Sequence, residues 1–288
     1  MSGLTPQQLD FYREQGYLLV ENVLDPAVFD LLRSEVDETV DAFARQALAD
    51  RRITELHEEE PFERRLHRLA VQLDDPEPLL ALVRGKMRSP GMFRIYACEA
   101  LVDMVESVIG PEILAHPQFN IRAKRPGVDE GVVPWHQDLG YLERSAAETF
   151  MVNFWIPLVD ATLENGCLEV IAGSHRSELI EHQRGMGPAG NFKGVVDEEL
   201  PPGEHVPCPV RTGGVLLIQH TTMHRSQPNL SDHIRWSLDL RYSHPDLPTG
   251  REGVPGFIAR SRRDPASVCG SAEEWVGIVE SAGVPERS

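Results

Sequence analysis

The feature that most limits the fold of this chain is a series of short β-type runs between residues 111 and 244. Gly, Pro and Asn separate the runs, and each run has the length of one strand in a compact sheet protein. Seven such runs in close succession favour a sandwich or barrel over a parallel sheet with crossover helices. Residues 111–244 are therefore predicted to form a mainly β core with flanking helices. The runs are Gln118 to Lys124, Val132 to His136, Thr149 to Leu158, Cys167 to Ile171, Val206 to Val210, Gly214 to His220 and His233 to Ser243.

The part of the chain before this core is predicted to be mainly helical. Thr5 to Gln8 carries a helix-capping pattern, with proline at the first helical position and glutamine three residues after the cap. A longer helix should begin at Asp25-Pro26, and Phe93 to Ile109 should form another. We expect residues 1–110 to cover the β core rather than to fold as a separate domain.

Two further segments complete the predicted single domain of residues 1–288. Residues 181–207 are crowded with Gly and Pro and interrupt the rhythm of the strands, which favours a loop that covers the substrate as a lid. Residues 245–288 form a C-terminal extension that ends in a predicted amphipathic helix over Ser271 to Ser281.

Composition excludes several classes of function. The net charge of −17 disfavours binding to nucleic acid or to anionic membranes. The start of the chain lacks the features of a signal peptide, and no apolar run approaches the roughly 20 residues that span a bilayer. The four cysteines are widely spaced and suggest neither a zinc site nor a disulfide framework. We therefore expect a soluble, cytoplasmic protein.

One pair of residues in the β region has the spacing of metal ligands. His136 and Asp138 stand two apart at the end of a predicted strand, so both side chains should point to one face. The pattern alone is weak, because a chain with 11 histidines is expected to contain such pairs by chance. His244 and Asp246 form a second pair of the same type, but no histidine follows them in the sequence.

A second histidine would turn His136 and Asp138 into a known type of iron site. Two imidazoles and one carboxylate on one face of an octahedron leave three positions open, which is the ligand arrangement of non-haem Fe(II) oxygenases. Spacing leaves the third ligand ambiguous, because His220 and His224 could each face inward from a strand.

Several motifs resemble those of the phytanoyl-CoA dioxygenase family. Residues 134–138 (PWHQD) are similar to its proximal motif, and residues 153–158 (NFWIPL) with 164–168 (ENGCL) and 173–175 (GSH) are similar to its central block. Residues 224–231 (HRSQPNLS) followed by Arg235 are similar to its distal motif. In that motif an arginine stands eleven positions after the ligand histidine, so the resemblance assigns the metal to His224.

The resemblance implies a double-stranded β-helix, of the jelly-roll or cupin-like type, that binds Fe(II) and 2-oxoglutarate and uses O2. His136, Asp138 and His224 would hold the iron. Arg235 would pair with the far carboxylate of 2-oxoglutarate, because a planar guanidinium can donate two parallel hydrogen bonds. Further predicted cosubstrate contacts are Ser226 and Trp155, for which Phe154 is an alternative one residue away.

The strand before the proximal motif adds one more predicted site residue. Asn120, Arg122 and Lys124 alternate on one face of that strand, so they could point polar groups at the cosubstrate or the substrate. Solvent exposure is the alternative. Of the three, Asn120 is predicted as a cosubstrate contact.

These predictions define a dioxygenase that hydroxylates an unactivated C–H bond of a small-molecule substrate, such as an intermediate of specialised metabolism. Desaturation or epoxidation on the same iron centre is an alternative reaction. A metal-binding, cupin-like protein without oxidative activity is an alternative of a different class. The sequence leaves the substrate and the oligomeric state open.

Overall fold

The structure is a computed structural model that describes residues 3–284. Residues 1, 2 and 285–288, which belong to the predicted single domain, lie outside the described residues. The helices are α1 (Pro6–Gln15), α2 (Asp30–Ala49), α3 (Phe62–Ala70), α4 (Glu77–Leu80), α5 (Pro90–Tyr96), α6 (Glu99–Ile109) and α7 (Ala272–Ser281). The strands are β1 (Tyr17–Val20), β2 (Ile113–Ala115), β3 (Asn120–Lys124), β4 (Met151–Pro157), β5 (Leu168–Ile171), β6 (Gln183–Met186), β7 (Phe192–Gly194), β8 (His205–Cys208), β9 (Val215–Gln219), β10 (His224–Ser226), β11 (Arg235–Ser243) and β12 (Phe257–Arg260).

Two antiparallel sheets form the centre of the fold. The larger sheet has the strand order β1-β9-β4-β11-β2-β12, and β3 also pairs with β11. The smaller sheet has the order β10-β5-β8. Apolar side chains of β4 and β9 pack against those of β5 between the two sheets, through residues that include Trp155, Ile218 and Val170. This arrangement confirms the predicted double-stranded β-helix with flanking helices.

The outer face of the larger sheet is covered by helices. Alternate residues of β4 point to opposite faces, so Trp155 faces the smaller sheet while Phe154 joins the cluster that contains residues of α2, α5, α6 and α7. As a result all seven residues of β4 are buried. The helices thus stabilise the sheet from outside and leave its inner face to the cavity.

Local sequence signals explain where some of these helices begin. Thr5 Oγ1 accepts a hydrogen bond from Gln8 N, and Gln8 Oε1 accepts one from Thr5 N, which confirms the predicted capping box. The single helix predicted over Phe93 to Ile109 is wrong, because the backbone at Cys98 is extended and separates α5 from α6. The apolar pattern continues across this break, so periodicity alone does not reveal it.

The predicted strand over Val132 to His136 is also wrong in extent. The structure has one isolated antiparallel bridge there, between His136 and His224. Pro134 has no N–H to donate, and Val133 N donates to the side-chain Oγ of Ser226 instead of a backbone carbonyl. The segment still runs beside β10, and this places the proximal motif next to the distal one.

The segment 181–207 contains more regular structure than a loop. β6 and β7 pair as an antiparallel hairpin with an irregular register, and β8 begins near the end of the segment. Val195 N donates to Trp135 O at 2.8 Å, which fixes the hairpin against the proximal motif. Within residues 3–284, no helix combines the length and the apolar character that crossing a membrane requires.

Candidate metal and cosubstrate site

The structure brings His136, Asp138 and His224 together. One potential ligand atom from each lies within 4.8 Å of the other two. The backbones of the two histidines pair directly, since His136 N donates to His224 O at 2.9 Å and His224 N donates to His136 O at 3.0 Å. The separation of the two rings is therefore set by a backbone bridge between the two motifs. Asp138 follows at the start of a 3₁₀ turn, Asp138–Tyr141.

Hydrogen bonds to the backbone orient both imidazoles. Nδ1 of His136 lies 2.8 Å from Pro134 O, and Nδ1 of His224 lies 2.9 Å from Thr222 O. A carbonyl oxygen can only accept, so each Nδ1 must carry the hydrogen, and the Nε2 lone pair stays free to bind a metal. Burial, followed by the charge of His224, holds the pKa of His136 well below its usual value, which keeps this ring neutral.

Asp138 is held from both sides. Its Oδ1 accepts from Arg241 Nη2 at 2.5 Å, and its Oδ2 accepts from Asn153 Nδ2 at 2.6 Å. Burial by itself would raise the pKa of Asp138, but the charge and the hydrogen bond of Arg241 contribute most to outweighing it, and the pKa lies below its usual value. The carboxylate is therefore ionised and fixed in orientation, as a metal ligand requires.

Gln137 lies between the two candidate ligands and connects their motif to neighbouring loops through hydrogen bonds. Its side chain is fully buried, with Nε2 donating to Thr221 O at 2.9 Å and Oε1 accepting from Ile180 N at 2.9 Å. Its backbone N donates to Nε2 of His182, also at 2.9 Å. Gln137 thus fixes the backbone between the two candidate ligands, His136 and Asp138.

A cavity of about 540 Å³ opens beside the three candidate ligand residues. Arg235 lines it from β11 and is 2% exposed; its Nη1 donates to Ser237 Oγ at 2.6 Å, and its Nε has no partner within residues 3–284. Burial lowers the pKa of Arg235 to about 10, so the guanidinium stays charged at neutral pH. The ring of Trp155 lies 5.1 Å from Arg235 Cζ. Trp155, rather than its neighbour Phe154, is thus the aromatic residue beside this arginine.

Ser226 also reaches the cavity, two residues after His224. Its Oγ accepts from Val133 N at 2.9 Å and from Lys124 Nζ at 2.8 Å, and it donates to Gly131 O at 3.3 Å. The last of these bonds is long. The hydroxyl hydrogen can therefore be redirected to a ligand at little cost.

The three polar residues of β3 line the same cavity. Lys124 is paired in register with Arg235, whereas Asn120 lies four residues away, opposite Asp239. Arg122 lies between them and donates from Nε to Asp239 Oδ2. The alternation predicted for this strand thus places all three on the cavity wall, and Lys124 is the one beside the arginine.

Other histidines considered from the sequence are not part of the group formed by His136, Asp138 and His224. His220 follows β9 in the larger sheet, and its Nδ1 accepts from Met151 N at 3.3 Å. His175 binds the backbone of Arg13 through Nε2. Asp246, of the second His-x-Asp pair, is exposed and bound to Arg263.

Asn153 and Arg241 are site residues that the sequence reasoning missed. Asn153 lies in the central block, two residues before Trp155, so the period of a strand already places both on one face. Arg241 lies six residues after Arg235 on β11, and the same period would have placed it on the inner face. Its pairing with Asp138 spans 103 residues and has no local signal.

The fold and the site together define a class of protein. A double-stranded β-helix carries two imidazoles and one ionised carboxylate beside its cavity, with a buried arginine in the same cavity. Two histidines and one carboxylate with open positions are the ligands of non-haem iron(II) oxygenases, and a buried guanidinium suits an anionic cosubstrate. This class is that of the Fe(II)- and 2-oxoglutarate-dependent oxygenases.

The chain belongs to the phytanoyl-CoA dioxygenase (PhyH) family, whose model matches residues 12–237. One relative, phytanoyl-CoA dioxygenase domain-containing protein 1 of Danio rerio, is 29% identical over 276 residues, which cover 82% of this chain and 88% of the relative. The peroxisomal phytanoyl-CoA dioxygenase of Homo sapiens is 24% identical over 247 residues, which cover 84% of this chain and 69% of the human protein. The resemblance drawn from the motifs is confirmed, and with it the cofactors Fe(II), 2-oxoglutarate and O2.

Solved structures agree on the fold. The apo form of the non-haem monooxygenase ThoJ superposes with a TM-score of 0.65 at 17% identity, covering 96% of this chain and 95% of ThoJ. Apo EctD from S. alaskensis has a TM-score of 0.59 at 20% identity, covering 93% and 89% of the two chains. The epimerase SnoN, in complex with Fe3+, alpha ketoglutarate and nogalamycin RO, has a TM-score of 0.53 at 20% identity, covering 85% and 86%.

Proposed function

We propose that this oxygenase hydroxylates an unactivated C–H bond of a small-molecule substrate, with His136, Asp138 and His224 as the protein ligands of its iron. The observation that carries the proposal is the convergence of these three ligand atoms within 4.8 Å, on the wall of a cavity that also contains Arg235. Both Nε2 atoms are available and the carboxylate is ionised. This donor set fits Fe(II) and leaves positions open for a cosubstrate and oxygen.

Four residues are proposed to hold 2-oxoglutarate. Arg235 would bind its far carboxylate, because Nε of this buried cation has no partner among the described residues and its Nη1 donates to the neutral hydroxyl of Ser237. Ser226 would add its hydroxyl once that group turns away from Gly131 O. Trp155 would support the guanidinium through its ring, and Asn120 would contact the cosubstrate from farther along β3.

The chemistry is divided between the iron and the chain. Bound Fe(II), together with 2-oxoglutarate and O2, supplies the oxidation of the C–H bond, with succinate and carbon dioxide as co-products. Asn153 and Arg241 keep the carboxylate of Asp138 in one orientation.

The ligand set supports hydroxylation over halogenation. In the halogenating branch of such enzymes, a small residue replaces the ligand carboxylate so that a halide can bind. This chain retains Asp138, and Arg241 with Asn153 already occupies both of its oxygens. The carboxylate of Asp138 would therefore take the place that a halide needs at the iron.

The substrate is proposed to enter beneath the segment 181–207, which would act as a lid. Phe192 of β7 lines the cavity, and the neighbouring Lys193 O accepts a hydrogen bond from Tyr141 Oη. Tyr141 in turn packs edge-on against His136, with ring centroids 5.4 Å apart. The hairpin is thus connected to the iron site itself. The nogalamycin RO bound by SnoN supports a natural-product substrate, in line with the absence of a CoA-binding signature in this sequence.

Anaerobic addition of Fe(II) and then 2-oxoglutarate to the purified protein tests this function. We expect a visible metal-to-ligand charge-transfer band, followed by succinate release when oxygen is admitted. With a metabolite panel, hydroxylation should add one oxygen atom to the product, whereas desaturation should remove two hydrogen atoms. Protein without added Fe(II) is the control. Absence of both the band and succinate would contradict the proposal.

A further inference from the structure

Lys124 is a buried amine whose partners are all neutral. It ends β3 and is 2% exposed. Nζ donates to Ser226 Oγ at 2.8 Å and to the backbone oxygen of Gln227. A charged ammonium has three hydrogens, so one remains for a ligand in the cavity that Lys124 lines. Within residues 3–284, the groups that influence its charge include no carboxylate.

A second buried cation lies directly opposite on the neighbouring strand. Arg235 is the register partner of Lys124, and its own side-chain bond goes to the neutral hydroxyl of Ser237. Placing two cations side by side in a buried site is unfavourable, because each would lose its hydration and they would repel each other. The carboxylate of Asp239 acts on Arg235 but is already bound to Arg122. The arrangement favours an anion between them.

The charge of Lys124 responds to this environment. Burial, then Arg235 on β11 and Arg122 on β3, lower its pKa to about 6, and the thiol of Cys167 opposes them weakly. The other groups facing the amine, Ser226 and Gln227, carry no charge. Without a ligand, most Lys124 side chains are therefore neutral at pH 7. A bound carboxylate would favour the ammonium form and so raise the pKa of Lys124.

We propose that Lys124 is a second cationic contact for the far carboxylate of 2-oxoglutarate, and that it takes up one proton from solvent when the cosubstrate binds. The inference rests on the proposed placement of that carboxylate at Arg235. The carboxylate then lies between a guanidinium and an ammonium, and Ser226 bonds to both the ammonium and the ligand. The proton comes from the buffer acid and forms the third N–H bond of the ammonium, and no other covalent bond changes.

This linkage fixes the direction of a pH effect on cosubstrate affinity. The amine of the free protein titrates near pH 6, and in the complex it titrates at a higher pH. Affinity for 2-oxoglutarate is therefore greatest below about pH 6 and falls as the pH rises towards the pKa of the complex. Over that interval the loss approaches tenfold per pH unit, because one proton is bound per ligand.

Isothermal titration calorimetry on the Fe(II)-loaded, full-length protein under anaerobic conditions measures this proton directly. 2-Oxoglutarate is titrated at pH 7 in buffers of different ionisation enthalpy, and wild type should take up close to one proton per ligand. Lys124→Arg keeps the positive charge but does not titrate, so it should bind with similar affinity and take up close to one proton fewer. Lys124→Met should bind about 10- to 100-fold more weakly, because a charge-assisted contact is lost.

The arginine variant is the matched control, since protons released or taken up at the iron are common to it and wild type. Equal proton uptake by wild type and Lys124→Arg would overturn the proposal. Wild-type affinity in a folded Lys124→Met variant, checked by circular dichroism, would overturn it as well. If iron-loaded wild type does not bind 2-oxoglutarate, the proposed function itself is wrong. That result is distinct, because failure of the lysine proposal alone leaves binding intact in all three proteins.

Discussion

Replacing Arg235 with alanine is expected to weaken 2-oxoglutarate binding by about 30-fold or more while leaving Fe(II) affinity nearly unchanged. Truncating one partner of a buried, hydrogen-bonded charge pair costs about 2–5 kcal/mol, since the remaining charge has nothing else to neutralise it. Arg235 is 2% exposed and lines the cavity beside the three proposed iron ligands. Anaerobic calorimetry with the iron-loaded variant gives the affinity, and the charge-transfer band confirms that the cosubstrate reaches the metal.

Two variants serve as controls for Arg235. Arg235→Lys keeps the charge but loses the two parallel hydrogen bonds of a guanidinium, so its affinity should fall between those of wild type and Arg235→Ala. Arg45→Ala removes an exposed arginine of α2 that pairs with Asp41 and Glu58, and it should bind 2-oxoglutarate as wild type does. Equal affinity in wild type and Arg235→Ala would remove Arg235 from the site.

Asp138→Ala is expected to abolish 2-oxoglutarate turnover and to weaken Fe(II) binding by more than about 100-fold. Losing a group that merely orients a ligand already costs about 10–100-fold in metal affinity, and here the ligand itself is lost. The substitution also leaves the guanidinium of Arg241 buried without its partner. The free energy of unfolding of the metal-free protein should therefore fall by about 3–5 kcal/mol. Anaerobic iron titration, succinate release and urea denaturation measure the three effects.

The chain contains its own control for this substitution. Asp246→Ala alters the other His-x-Asp pair, whose carboxylate is exposed and bound to Arg263, and it should change neither iron binding nor turnover. Combining Asp138→Ala with Arg241→Met removes the unpaired cation, so much of the lost stability should return while iron affinity stays low. Full turnover in Asp138→Ala would show that the carboxylate is not a ligand.

The strands of the core could be predicted because their signal is local. β4, β9 and β11 are apolar runs bounded by turn residues, and the predicted spans contain each of them. The predictions failed where a distant contact or a missing donor decided the structure. Pro134 interrupts the ladder beside β10, and Cys98 breaks a helix whose apolar pattern is continuous. At both positions the apolar pattern in the sequence continues although the helix or the strand ladder does not.

The candidate site could be predicted only in part. The motif of His136 and Asp138 is visible, but spacing cannot separate His224 from His220. The structure separates them, because His220 follows β9 in the larger sheet while His224 begins β10 in the smaller one. The role of Arg241 could not be predicted, because it consists in binding Asp138. The two residues are far apart in the sequence and come close only when the sheets have formed.

Strand β11 carries two arginines with different proposed partners, so its position affects two parts of the site at once. Arg241 holds the carboxylate of the proposed ligand Asp138, while Arg235 is proposed to bind the far end of the cosubstrate. The two Cα atoms are separated by six residues of one extended strand, roughly 20 Å. A strand bound on both sides cannot lengthen or shorten. We therefore expect a substitution that displaces β11 to weaken iron binding and cosubstrate binding together.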